Sequence, residues 1–272
     1  MDAATAMVQD APPRAEEIYA NAIAELLIGA RNVAVGMLSP VPGAGALLAR
    51  ELSGRERGDP SADPSGEQSA DQSGAPMRVT ILGSREHNRF TNGGAELFDQ
   101  AGRGRIDAFF LSGGQIDGQA NINLVGTGDY PATDVRWSGS FGSGYLYFVV
   151  PRIVLFRWEH SRRTLVRQVD FISAPGTSAP GVHRPGGPVA LITGLCLFGF
   201  DRVRGRFALR SLHPGHTLEE VRDQTGFDFD VPAAVPSTPL PDATRLALLR
   251  GPVARQIAGV YPAFARQVFG VE

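Results

Sequence analysis

The chain has 272 residues, 43% of them hydrophobic and 20% charged, with a formal net charge of −2. That length fits one large domain or two small ones with a sizeable α/β core, and a sequence pI near 6.2 leaves no electrostatic footprint for nucleic acid. Every basic residue is arginine, which excludes a Schiff-base lysine, and the single Cys196 excludes an intrachain disulfide or a cysteine metal cluster.

Residues 1–14 read as a flexible polar leader. Acidic residues and prolines stand where a secretory signal needs a positive start and an apolar run, and no segment reaches transmembrane length. A cytoplasmic protein without membrane association is therefore expected. Residues 15–29 carry Ile18, Ala22, Ile23, Leu26 and Leu27 near helical spacing and end on Gly29, suited to a C-cap. Residues 32–37 predict a buried strand, and a glycine-proline turn at 40–45 feeds a second helix through Leu52. Residues 54–76 are rich in Ser, Gly, Asp, Pro and Gln and offer little apolar area to offset the entropy of ordering, so a disordered surface insertion is expected.

Beyond it, a strand at 78–82, a helix at 94–101 and a strand at 106–111 alternate. This pattern predicts an α/β fold with an open, mostly parallel sheet flanked by helices. Further strands are predicted at 153–156, 166–172, 189–193, 196–200 and 207–212. Thr217 and Glu220 form a capping box for a helix at 217–225, with Gly226 as its stop. A proline-rich connector at 231–242 leads to a helical tail over 242–272, with helices at 243–249 and 253–268 placed to cap this chain or grip a partner. The main domain is thus expected over 15–241.

Residues 113–144, GGQIDGQANINLVGTGDYPATDVRWSGSFGSG, pack three loops into one segment. Gly113 and Gly114 follow the apolar strand at 108–111, at the carboxyl end where open α/β sheets place their crevice. The last cluster, Gly139, Gly142 and Gly144, precedes a short apolar run suited to a helix, whose N–H groups suit an oxyanion or phosphate. The lone Cys196, inside LITGLCLFGF, reads as a core thiol. His213 and His216 flank a Pro-Gly that prevents the helix a two-histidine metal motif needs, so no metal site is expected. Asn121 and Asn123 read as turn and ladder residues, and RWEHSRR at 157–163 as a solvated, ion-paired edge. No GxSxG elbow, Walker loop or GxGxxG fingerprint is present.

GGQID, then NIN, then GDY, then SGSFGSG closely resemble the β subunit of family I coenzyme A transferases, of the glutaconate and 3-oxoacid type. RRTLVRQVDFISAPG at 162–176, FGFD at 198–201 and SLHPGHTLEEVRDQTGFDFDVP at 211–232 extend the resemblance over most of 106–232. It implies a family I CoA-transferase-like fold, a homologous α subunit as partner, acyl-CoA as substrate, and coenzyme A as a cosubstrate with no permanently bound cofactor. Gly139, Ser140, Gly142 and Ser143 inherit a place beside the thioester and CoA, with Phe141 and Gly144 departing from the family pattern. Gly113, Gly114, Gln115, Asp117 and Asp129 are expected to frame the cleft. Leu82 stands where the family carries its nucleophilic glutamate, and leucine cannot form an acyl anhydride. The nearest carboxylate is Glu86, whose Arg-Glu-His-Asn surroundings also read as a solvated turn. Three activities therefore stay open: CoA transfer through Glu86, thioester or ring-opening hydrolysis with a partner carboxylate as base, and a non-catalytic or acyl-CoA-sensing subunit.

Overall fold

The structure, a computed structural model, describes residues 11–56 and 76–271. Most of the expected leader and the insertion's residues 57–75 lie outside the described residues, whereas residues 54–56 continue a helix. Helix α1 (Ala15–Leu26) buries Ile18, Ala22 and Ile23. It stops short of Gly29, which instead turns the chain at φ 79°. Strand β1 (Asn32–Val35) follows. Helix α2 (Pro40–Glu56) starts at Pro40 itself, so the expected turn at 40–45 belongs to the helix. Proline suits a first helical turn, where an N–H has no intrahelical acceptor. Gly45 lies inside α2 because α1 comes so close that a Cβ there would sit 2.5 Å from Ile23 Cγ2. Strand β2 (Arg78–Ile81) pairs in parallel with β1, from Asn32 opposite Arg78 to Val35 opposite Ile81.

Helix α3 (Gly93–Gly102) and strand β3 (Ala108–Leu111) come next. The loop-rich segment holds two small antiparallel ladders, β4 (Gln115–Ile116) with β5 (Ile122–Asn123) and β6 (Gly126–Thr127) with β7 (Val135–Arg136). Helix α4 (Ser143–Val149) leads to strands β8 (Arg152–Arg157), β9 (Pro188–Thr193), β10 (Cys196–Asp201) and β11 (Arg206–Leu212). Helix α5 (Leu218–Gln224) is capped by Thr217, whose hydroxyl accepts from Glu220 N at 3.1 Å. The other half of the expected box is not made: the Glu220 carboxylate meets His216 Nδ1 at 3.0 Å instead.

The predicted strand at 166–172 does not form. One parallel bridge joins Leu165 to Ile116, and Val166 N donates to Ile116 O, after which side chains take over from any ladder. The predicted helix at 253–268 is also divided. Helix α6 (Ala243–Leu248) runs through a π turn (Leu249–Val253) into α7 (Ala254–Ala258), and α8 (Pro262–Phe269) starts afresh. Pro262 keeps Tyr261 out of helical geometry, at φ −129° and ψ 69°, and itself takes the first helical position.

The described chain forms two compact units, one of residues up to 91 together with those from 239 onward, the other of residues 92–238. In the first, the C-terminal helices are held to α1 by Arg250, whose guanidinium grips Glu17 at 2.6 and 2.8 Å in a buried pair. In the second, strands run in the order β11-β10-β9-β8-β3. The β3–β8 and β8–β9 ladders are parallel and the β9–β10 and β10–β11 ladders antiparallel. Phe198, Phe207, Phe227 and Phe229 gather on this sheet, with ring centroids 5.0 Å apart for Phe198–Phe229 and 5.4 Å for Phe207–Phe227.

Candidate functional site

The first unit places its candidate site at the carboxyl ends of the parallel β1–β2 pair. Leu82 N still donates to Val35 O at 2.9 Å, so the ladder runs one residue past β2 before Gly83, at φ 83°, turns the chain. Ser84 N returns to Ile81 O at 3.1 Å, and Ser84 Oγ accepts from His87 N at 2.9 Å. Ile81 N then donates to His87 O at 3.2 Å, which closes a tight loop. Leu82, half-buried on this ladder, has only apolar atoms to present. Glu86 projects from the loop with its side chain 74% exposed, and the neighbouring β1 end exposes Met37 and Leu38.

The expected solvated turn holds for Arg85 and Glu86 but not for His87, which is buried. Burial lowers the pKa of its ring below the ordinary value, against the opposing pull of Glu86 and with help from Arg50 and Arg89. The reading of the sequence missed this histidine. Its only signal was its place, a few residues past the end of a parallel strand.

The second unit carries the glycine segment. Gly113 is required because a Cβ would lie 2.6 Å from Gln115 O, and Gly114 because the Trp137 ring lies against it. Gln115 and Asp117 are buried and largely committed to the chain. Gln115 Oε1 accepts from Asn123 Nδ2 at 2.8 Å and Asp170 N at 2.9 Å, while its Nε2 donates to Asp170 Oδ2 at 3.1 Å. Asp117 Oδ1 accepts from Gln119 N at 3.0 Å and Asn121 N at 3.1 Å. Asn121 Oδ1 takes Gly176 N at 3.0 Å, and Asn123 Oδ1 takes Val125 N at 2.9 Å. These residues pin loops to one another. Asp129 alone among the expected cleft residues is exposed.

In the loop before α4, Gly139 adopts φ 99° with open space where a Cβ would project. Gly142 is pressed against the Phe98 ring. Phe141 takes φ 46°, a left-handed conformation that non-glycine residues seldom adopt, and its ring is 90% exposed, tilted against Phe98 with centroids 5.5 Å apart. Ser143 N already donates to Ser140 O at 2.8 Å. Ser143 Oγ, by contrast, is one of three buried side-chain atoms among the described residues without a hydrogen-bond partner, with His87 Nε2 and Arg157 Nε. A polar atom left so costs about 1–3 kcal/mol.

Around β8, Glu159 pairs with Arg157 at 3.1 Å and Arg163 at 2.9 Å, the expected ion-paired edge. Arg162 donates to Asp223 O and, with Arg222, Phe227 and Asp228, lines a pocket of about 330 Å³ whose charged lining is two arginines and one aspartate. His213 is buried and satisfied by Thr238 Oγ1 at 2.8 Å and Thr193 O at 3.0 Å.

A family model described as Coenzyme A transferase matches residues 77–224, just over half the chain. The β-type chain of the 3-oxoadipate CoA-transferase of Pseudomonas knackmussii is 36% identical over 161 residues, covering 57% of this chain and 62% of that protein. The β-type chain of the glutaconate CoA-transferase of Acidaminococcus fermentans is 31% identical over 148 residues, covering 52% and 54%. The chain thus spans between half and two thirds of the curated relatives it matches. In fold it is similar to Rhodococcus jostii RHA1 IpdAB, with a TM-score of 0.70 at 21% identity over 88% of this chain and 93% of that one.

Proposed function

Because the chain belongs to the coenzyme A transferase family, we propose that it is the β-type subunit of a heteromeric enzyme that moves CoA between carboxylic acids, completed by a homologous α subunit. The observation that carries this reading is Glu86, an exposed carboxylate on the tight loop just beyond β2, inside the matched region. The carboxylate attacks the acyl-CoA carbonyl, forming an anhydride and releasing CoA as thiolate. The thiolate then attacks the glutamyl carbonyl and frees the first acid, and the second acid takes CoA by the same two steps reversed. Within the second unit, the loop of Gly139, Ser140, Gly142 and Ser143 is the proposed CoA-binding segment, on the strength of its backbone N–H groups ahead of α4. Gly113, Gly114, Gln115 and Asp117 frame this segment, and Asp129 contacts substrate at its exposed end.

One observation favours a second reading. Leu82 leaves the end of β2 without a carboxylate, which suits a hydrolase whose base comes from the partner and whose acceptor is water. Turnover of acyl-CoA thioesters by the chain co-expressed with its α partner, with and without an acid acceptor, separates the two. CoA exchange that needs the acceptor and vanishes in Glu86→Ala supports transfer. Acceptor-independent thiol release that survives Glu86→Ala replaces it with hydrolysis.

A further inference from the structure

His87 is a histidine whose surroundings ask for a partner. Its side chain is 8% exposed, its backbone is fixed by Ser84 Oγ and Ile81 N, and its Nε2 lacks any hydrogen bond. Shielded from solvent, that nitrogen must find its partner in protein or ligand. The carboxylate within ion-pair distance is Glu86, with Oε2 at 4.0 Å, beyond a hydrogen bond but within a side-chain rotation of one. Two guanidiniums also act on the ring: Arg50, from α2, and Arg89, from the same loop. Arg50 is already engaged by Gln256 Oε1 and Glu51. Guanidiniums only donate, so neither can receive an Nε2 proton.

We propose that His87 is a positioning residue for Glu86: its Nε2–H donates to one carboxylate oxygen and fixes the side chain, leaving the other oxygen free to attack. The inference rests on the reading of Glu86 as the reacting carboxylate. A long exposed side chain on a loop samples many rotamers, and a buried, backbone-anchored donor selects one of them. Burial also keeps the ring neutral at pH 7, so the donor holds the carboxylate without a full positive charge beside it. His87 thus gives the loop the fixed geometry that the family's strand-borne glutamate would have from its ladder.

The test uses the full chain with its α partner and three variants. His87→Phe removes the donor, and His87→Gln returns an amide N–H near the place of Nε2. Loss of kcat by about ten- to a hundredfold in His87→Phe with KM unchanged, largely restored in His87→Gln, supports the proposal. Equal losses in both variants, or no loss in either, overturn it. The imidazole titration of His87, followed by NMR in the chain and in Glu86→Gln, gives a readout independent of turnover. The His87 pKa should fall when the Glu86 charge is removed, and an unchanged titration overturns the pairing. If the pairing is seen but Glu86→Gln leaves CoA exchange intact, the reading of Glu86 as nucleophile fails, and the positioning role fails with it.

Discussion

A methyl group added at Gly45 would lie 2.5 Å from Ile23 Cγ2 and 2.9 Å from the Ala20 carbonyl oxygen. Ile23 is fully buried and the carbonyl belongs to a helix, so neither moves cheaply. Overpacking of this kind costs about 1–3 kcal/mol, against a helix-propensity gain of about 1 kcal/mol for leaving glycine. Gly45→Ala should therefore lower stability by up to about 2 kcal/mol net, read as a lower urea midpoint. Cys196 makes a chemical prediction. Burial pushes its thiol up to about 12, beyond the partial compensation from Thr193. It should be inert to a disulfide reagent at pH 8 in the native protein and react fully in denaturant, a contrast read from thiol release. Its role as a core thiol was legible from the apolar run around it. The burial of His87 was not, because an Arg-Glu-His-Asn string has the composition of a surface turn and only the closed loop of hydrogen bonds turns its ring inward.

At the scale of elements, one joint is a buried ion pair. Arg250 and Glu17 are 5% and 1% exposed, and they join the C-terminal π turn to α1. Glu17→Ala leaves a buried guanidinium without its carboxylate, and removing one partner of such a pair costs about 3–5 kcal/mol. Chemical denaturation should show that loss. The cap on α5 is worth less: Thr217→Ala should destabilise by about 1 kcal/mol, since one backbone donor loses its acceptor. The elements that periodicity misjudged share a cause. Ile257, Val260, Tyr261, Phe264 and Val268 keep a helical spacing straight across the break at Pro262, because pattern records which face is buried and not whether the backbone is continuous. The apolar residues of 166–172 suit a strand, yet Asp170 turns to Gln115 Nε2 and to Gly128 N at 2.9 Å and fixes the segment as a loop.

For the second unit as a whole, the half-buried His160 and the buried His213 contribute to the response to acid. His160 is held between Thr193 Oγ1 at 2.8 Å and Thr225 Oγ1 at 2.9 Å, and His213 between Thr238 and Thr193. Burial lowers both to about 4 from an ordinary 6.5. Between those values the unfolded chain binds protons that the folded chain refuses, so stability is present above pH 6.5 and is lost as pH falls toward 4. Denaturation midpoints at a series of pH values should decline across that window. Thr193→Val, which removes the hydroxyl next to His160, should destabilise the chain at neutral pH.

What the sequence determined by itself was the class of the fold, from strands alternating with helices, and the family, from GGQID, NIN, GDY and SLHPG in their order. Both depend on local pattern and on short strings whose turns demand glycine, aspartate or proline wherever they occur. The tertiary structure decided which of those polar residues are free. Gln115 and Asp117 look suited to a ligand in the sequence, and they are committed because the loop at 169–176 folds against them, as it does against Asn121. Ser143 Oγ and His87 Nε2 are buried without a hydrogen bond because the packing around them shields them from solvent, and for His87 the Glu86 carboxylate stands at 4.0 Å, just beyond hydrogen-bond distance.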